Sequence, residues 1–281
     1  MLDSADRPGR RPPLNKDTRL CISLAARPSN IGTRFHNYLY DELGLDYIYK
    51  AFTTTDIAAA IAGVRALGIR GCSVSMPFKS DVMALVDEVE PSAQAIESVN
   101  TIVNDDGCLR ASNTDYLAVQ GLIGTHCLKQ NDAVIIRGSG AMAKAVASAL
   151  QGSGFHTGTI IARNGEAGRA LADRLGYAYA AEVGPLRAPI LVNVTPIGMA
   201  GGPDADQQAF DDEAIALADT VFDVVALPSE TPLITAARAA GTQVITGAEV
   251  IALQAAEQFE RYTGIRPTGQ QIVAASAVSR V

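Results

Sequence analysis

Tryptophan is absent from this 281-residue sequence, and histidine is scarce. The three histidines, His36, His126 and His156, are scattered, and the four cysteines, Cys21, Cys72, Cys108 and Cys127, form no CxxC pair. That spacing resembles no zinc site, so no metal is expected, and reduced thiols in a cytoplasmic protein are. Long apolar runs are lacking as well: none approaches the roughly 18 residues that a membrane-spanning helix needs. Met1–Lys16 carries Arg7, Pro8, Arg10, Arg11, Pro12 and Pro13 instead of the apolar core of a secretory signal, and residues 1–17 read as a disordered tail. Positive charge is not in excess. The formal net charge is −7, which argues against a nucleic-acid partner while permitting a local basic pocket for a phosphate.

What is present is a chain with 48% hydrophobic and 19% charged residues, long enough for one large domain or two ordinary ones. After the tail, strand-like and helix-like segments alternate. Leu20–Leu24 reads as a strand, Asn30–Leu43 as a helix stopped by Gly44, and Tyr47–Ala51 as a strand. Asp56 caps an alanine-rich helix Ile57–Leu67 that ends at Gly68. Cys72–Met76 is the next strand, and a helix Phe78–Val89 is expected after Pro77. Pro91–Ser98 reads as a short helix, and Val99–Val103 and Cys108–Ser112 as a β-hairpin turned by Asn104-Asp105-Asp106-Gly107.

A new helix starts at Asp115, and from Asp132 the alternation resumes. Strands are expected at Ala133–Arg137, Thr159–Ala162, Ile190–Val194, Val221–Val225 and Gln243–Ile245, with helices at Ala141–Leu150, Glu166–Leu175 and Pro232–Ala240. This is the pattern of a doubly wound parallel sheet. A last helix, Ala248–Tyr262, is followed by a helical tail that returns to the first lobe. The expected fold is therefore α/β with two αβ lobes. Residues 18–115 plus 248–281 form a substrate and catalytic domain, and residues 116–247 a Rossmann-type dinucleotide-binding domain.

Gly138-Ser139-Gly140-Ala141-Met142-Ala143 fits G-x-G-x-x-A directly after an apolar strand and at the opening of a helix. The first glycine permits the tight turn, the second lets the backbone approach a pyrophosphate, and the small third residue lets helix and strand pack closely. Phosphates then sit on the free N–H groups of the helix N-terminus. The segment Val134–Ala147 is thus expected to bind a nicotinamide dinucleotide. An NAD site places an acid at the end of the following strand, whereas this strand ends in Ala162-Arg163-Asn164. Arg163 suits a 2′-phosphate, so NADP is expected over NAD.

Lys79 falls in the first turn of the helix expected after Pro77, where a cation opposes the helix dipole and marks a candidate for proton transfer. With the hairpin turn centred on Asp106, Asn100 and Asn113 lie opposite each other, with Thr101 and Thr114 beside them and Asp115 just beyond. Asp115 reads either as a helix N-cap or as a carboxylate that holds Lys79 and a substrate hydroxyl together.

Ser73-Val74-Ser75-Met76-Pro77-Phe78-Lys79, Val99-Asn100-Thr101, Asn113-Thr114-Asp115, Asn193-Val194-Thr195-Pro196-Ile197-Gly198-Met199 and Gln254-Ala255-Ala256 occur in that order. Together they resemble the successive signatures of the shikimate dehydrogenase family. The segments 21–30 and 222–226 are closest to its shikimate dehydrogenase-like subclass. The resemblance implies an NADP-dependent interconversion of shikimate, or a close analogue, with its 3-dehydro ketone, in the shikimate pathway of aromatic amino-acid biosynthesis. It implies Lys79 and Asp115 as the proton-transfer pair, and Ser75, Asn100 and Gln254 as substrate-binding residues. It also implies Gly138, Gly140, Ala141, Arg163, Thr195 and Gly247 around the cofactor. Two departures stand out. The family's Ser-x-Ser pair for the substrate carboxylate is Asn30 and Gly32 here, with Ser29 and Thr33 as candidate replacements, and a tyrosine common near the substrate is Ala226. The alternatives are a dehydrogenase of quinate or another polyhydroxylated ring acid, or an NADPH-binding regulator with vestigial activity. The expected partner is a small hydroxylated ring acid, and the expected assembly a monomer or homodimer.

Overall fold

The computed structural model describes residues 10–280. The chain divides into two compact units: one runs up to Thr114 and resumes at Ala252, and the other is Asp115–Ile251. The first nine residues of the expected tail lie outside the described residues. Beyond them, Arg11 donates to Asn37 Oδ1 at 2.8 Å and forms an ion pair with Asp41 at 3.1 Å, which holds this part of the tail against the first helix.

The first unit holds strands β1 (Arg19–Ala25), β2 (Tyr47–Thr53), β3 (Gly71–Val74), β4 (Glu88–Val89), β5 (Thr101–Asp105) and β6 (Cys108–Ser112) in the order β2-β1-β3-β5-β6-β4. Helices α1 (Ile31–Glu42), α2 (Ile57–Ala66) and α3 (Pro91–Gln94) connect them. The cap on α2 forms as the sequence implies: Asp56 Oδ1 accepts from Ala59 N at 2.9 Å. β1, β2 and β3 are parallel, while β5 runs antiparallel to both β3 and β6.

The hairpin register pairs Thr101 with Ser112 and Asp105 with Cys108, so Asp106 and Gly107 alone make the turn. Both have positive φ, 53° and 95°, the backbone a two-residue hairpin turn demands. Asn100 therefore stands opposite Asn113.

The expected helix over 78–89 does not form. Residues 77–80 make turns, Asp81–Leu85 is a short 3-10 helix, and β4 follows. The reason is tertiary. The Lys79 carbonyl, which a regular helix would bond internally, accepts from Val99 N at 2.8 Å. Asp87 N in turn bonds to Leu109 O, pulling the chain into the sheet. Phe78 and Val82 anchor the turn in the core with Ile22, Val74 and Ile102. Lys79 precedes a five-residue 3-10 helix instead of sitting in the first turn of an α-helix, so the dipole argument for it falls.

The second unit is a parallel sheet of β7 (Val134–Arg137), β8 (Gly158–Ile161), β9 (Ala178–Ala180), β10 (Ile190–Asn193), β11 (Thr220–Asp223) and β12 (Gln243–Thr246). Its order is β12-β11-β10-β7-β8-β9. Helices α4 (Thr114–Thr125), α5 (Ala141–Gly152), α6 (Gly165–Leu175), α7 (Asp212–Leu217), α8 (Pro232–Ala239) and α9 (Gly247–Thr263) complete the alternation. β9 and α7 were not expected; both are short and weakly periodic. The strand order reverses between β7 and β10, which is where a doubly wound sheet opens a crevice for a ligand. The boundary between the units falls within α9, and α10 (Gly269–Ser279) ends the first unit behind a Thr268–Gln271 capping box. No helix among the described residues is long and apolar enough to cross a membrane.

Candidate active site

In the second unit, β7 is wholly buried until Arg137, and the chain then turns at Gly138 with φ 134°. A side chain there would meet Val194 Cγ2 at 2.8 Å and the Val194 carbonyl oxygen at 2.9 Å, so only glycine fits. Gly140 is the N-cap of α5, and nothing lies within 4 Å of the position its Cβ would take. No side chain caps α5, which leaves its first amides for an outside acceptor, while Ala143 is buried against the sheet. Ala141 opens the helix in an exposed position. These residues fit a dinucleotide pyrophosphate.

A cleft of about 1260 Å³ opens beside the turn, lined among others by Gly138, Gly140, Arg163, Thr195 and Asp204. Arg163 is exposed at its edge, and the neighbouring Asn164 is spent on capping α6 by accepting from Ala167 N at 3.1 Å. Thr195 is held by Asn193, whose Oδ1 accepts from Thr195 N at 3.1 Å and from its hydroxyl at 2.6 Å. Asn193 Nδ2 then donates to Asp223 Oδ1 at 3.0 Å. Asp223 is fully buried and also accepts from Val225 N and the Thr231 hydroxyl, at 3.0 and 2.6 Å. Burial raises its pKa, and the Thr231, Val225 and Asn193 hydrogen bonds oppose that rise. Asp223 thus ties the ends of β10 and β11 into one rigid rim. Gly247 lies against the same rim, because a Cβ on it would stand 2.3 Å from the Val224 carbonyl oxygen.

In the first unit, the hairpin end carries a buried polar network. Asn100 Oδ1 accepts from Thr114 N at 2.8 Å, from the Thr114 hydroxyl at 3.1 Å and from the Thr101 hydroxyl at 2.8 Å. Three donors on one oxygen fix the orientation of the amide and leave Nδ2 as a donor with no partner among the described residues. Gln254 Nε2 donates to Thr114 Oγ1 at 3.2 Å. One helical turn later, Gln258 donates to Thr101 Oγ1 at 3.0 Å and to Asn100 O at 3.3 Å. Gln258 was not expected here. Its signal was the i, i+4 spacing from Gln254, which puts both amides on one face of α9.

The remaining expected residues divide. Lys79 is half-buried and joins this network through its backbone, since Val99 precedes Asn100. Asp115 is half-buried in the first turn of α4, one residue past Thr114. Ser75 is exposed at the end of β3, its amide bonded to Leu24 O at 2.9 Å. Ser29 is exposed and its hydroxyl accepts from Ile31 N at 3.4 Å. The Thr33 hydroxyl is buried with no hydrogen-bond partner among the described residues. At Gly32 a Cβ would stand 3.5 Å from the Tyr49 hydroxyl, in ordinary contact. Cys21 and Cys72 are buried thiols in the strands, and burial pushes Cys21 up to about 12. No group of His, Cys, Asp or Glu among the described residues is arranged to hold a metal.

A glycine turn at the switch point, beside an uncapped helix and a cationic cleft edge, defines a dinucleotide-binding α/β protein, the class that includes the nicotinamide-dependent oxidoreductases. Comparison with known proteins narrows this. Residues 30–102 match the shikimate dehydrogenase substrate binding domain. The chain is 59% identical over 267 residues to a shikimate dehydrogenase-like protein of Haemophilus influenzae, covering 95% of this chain and 98% of that one. It is 36% identical over 237 residues to the NADP(+) shikimate dehydrogenase of Oleidesulfovibrio alaskensis, covering 82% and 84%. The structure of Thermus thermophilus shikimate 5-dehydrogenase in complex with NADP(H) and shikimate superposes with a TM-score of 0.81 at 26% identity, covering 93% and 99%. The chain belongs to the shikimate dehydrogenase family.

Proposed function

We propose that this protein is an NADP-dependent oxidoreductase of a CH–OH group, interconverting shikimate or a close ring-acid analogue with the corresponding 3-dehydro ketone. The observation that carries the reading is the fixed amide of Asn100. Its oxygen is filled by protein donors and its nitrogen is held as a hydrogen-bond donor for a substrate hydroxyl. Gln254 and Ser75 supply further polar contacts to the ring. When bound, the nicotinamide supplies the hydride acceptor or donor. Lys79 takes up the hydroxyl proton as the neutral amine when the alcohol is oxidised and returns it from the ammonium when the ketone is reduced, and Asp115 orients Nζ and the hydroxyl toward each other. Gly138, Gly140 and Ala141 would hold the pyrophosphate, Arg163 the 2′-phosphate, and Thr195 and Gly247 the walls of the cofactor cleft.

The carboxylate end of the substrate is the part that departs from the family. Asn30 and Gly32 replace a hydroxyl pair, the Ser29 hydroxyl is engaged at the start of α1, and that of Thr33 is enclosed. This supports a modified ring acid, or slow turnover of shikimate itself.

A panel of hydroxylated ring acids assayed with NADP tests the reading. Lys79→Ala is expected to lower turnover by about 10²–10⁴-fold, the range for a lost general acid–base group, while NADPH still binds. Turnover retained in that variant removes Lys79 from the mechanism.

A further inference from the structure

Arg137 is out of character with its strand. Val134, Ile135 and Ile136 are buried, and the next position, immediately before the glycine turn, is a half-buried arginine. The register sets Arg137 beside Ile161, two residues before Arg163, and both arginines line the same cleft. Arg137 Nη1 donates to the Ala209 carbonyl, which pins the guanidinium to the cleft wall and leaves its other N–H groups for an incoming acceptor. Neither arginine has an ion pair among the described residues. Arg137 is held below its ordinary pKa first by burial and then by the positive charge of Arg163, against the pull of Asp204 in the same cleft. Two guanidiniums that repel each other in a half-buried cleft gain most from a ligand carrying close to two negative charges.

We propose that Arg137 is a second specificity-determining cation for the 2′-phosphate of NADP, gripping it from the cleft floor while Arg163 covers it from the rim. This rests on the reading of the protein as an NADP enzyme. Arg137 is fixed by Ala209, whereas Arg163 is exposed, so the floor residue supplies the pre-set geometry and the rim residue the adaptable contact.

The test is a fluorescence titration of NADPH and NADH, without ring-acid substrate, on wild type, Arg137→Gln, Arg163→Gln and the double variant, at low and high salt. Arg137→Gln is expected to weaken NADPH by about 10–100-fold, the range for a charge-assisted hydrogen bond, and to leave NADH within about twofold of wild type. It should also flatten the salt dependence of NADPH binding. Unchanged NADPH affinity in Arg137→Gln, with the preference lost in Arg163→Gln, overturns the second cation and leaves the NADP reading standing. Equal weakening of both nucleotides overturns it too, since Arg137 would then be support for the Ala209 segment. A wild type that does not prefer NADPH overturns the NADP reading itself and this proposal with it.

Discussion

His36 gives the structure an acid-sensitive point in the core of the first unit. Its ring is fully buried and stacks on Tyr49 with centroids 4.4 Å apart, and Tyr40, Phe259 and Tyr262 surround it. Neither ring nitrogen is hydrogen-bonded among the described residues. Burial lowers its pKa from 6.5 to about 3, against the opposing pull of the nearby Gln258 side chain. The folded state therefore binds a proton more weakly than the unfolded chain. Stability is intact above the unfolded value of 6.5 and is lost as pH falls toward the folded value of about 3. At about 1.4 kcal/mol per pH unit, the loss from this one residue reaches about 3 kcal/mol by pH 4. That is a large share of an ordinary domain's stability. His36→Phe keeps a ring for stacking and removes the titration. Urea denaturation of wild type and variant from pH 7.5 to 4, followed by near-ultraviolet circular dichroism of the tyrosines around the site, compares the two slopes. Carboxylates titrate in both proteins and cancel in the difference. Any repacking cost of the larger ring offsets the variant's stability without changing its slope. Wild type should lose about 3 kcal/mol more than His36→Phe over that range. Parallel slopes would refute the reasoning, because they would mean that His36 is protonated in the folded state at no cost.

The other predictions concern the second unit. Gly138→Ala places a Cβ 2.8 Å from Val194 Cγ2 at φ 134°, so it should strain the turn by about 1–3 kcal/mol. A calorimetric titration should then show NADPH binding lost, and wild-type affinity in that variant would contradict the dinucleotide turn. Asp223→Ala leaves the Asn193, Val225 and Thr231 donors without their acceptor in the core. It should cost about 1–3 kcal/mol for each donor left unpaired, read as a lower melting temperature of the whole second unit. A change confined to nucleotide affinity would instead make Asp223 a ligand contact.

Much of the site was legible because the signals were local. Gly138, Gly140 and Ala143 owe their identities to one turn and one helix contact, so their spacing suffices to read them. The hairpin was legible for a similar reason: a two-residue turn at Asp106 and Gly107 fixes the register, and the register places Asn100 opposite Asn113. Arg163 was readable from what its strand end lacks. The segment after Pro77 was not, since its composition favours a helix and the tertiary bonds from Val99 to the Lys79 carbonyl and from Asp87 to Leu109 prevent one.

The sequence by itself thus determined the elements whose causes lie within a few residues: strand and helix alternation, the capped start of α2, the glycine turn, and the hairpin with its asparagines. The tertiary structure alone decided what depends on distant neighbours. It buried His36 among aromatic rings from α1, β2 and α9, and it brought Gln258 to Asn100 across 158 positions of chain. It buried the Thr33 hydroxyl with no hydrogen-bond partner among the described residues. It also brought Arg137 and Arg163 to line one cleft. Dihedral preference and hydrogen-bonding reach are short-range and are written in adjacent residues, whereas burial and electrostatic surroundings are sums over whatever the fold brings near.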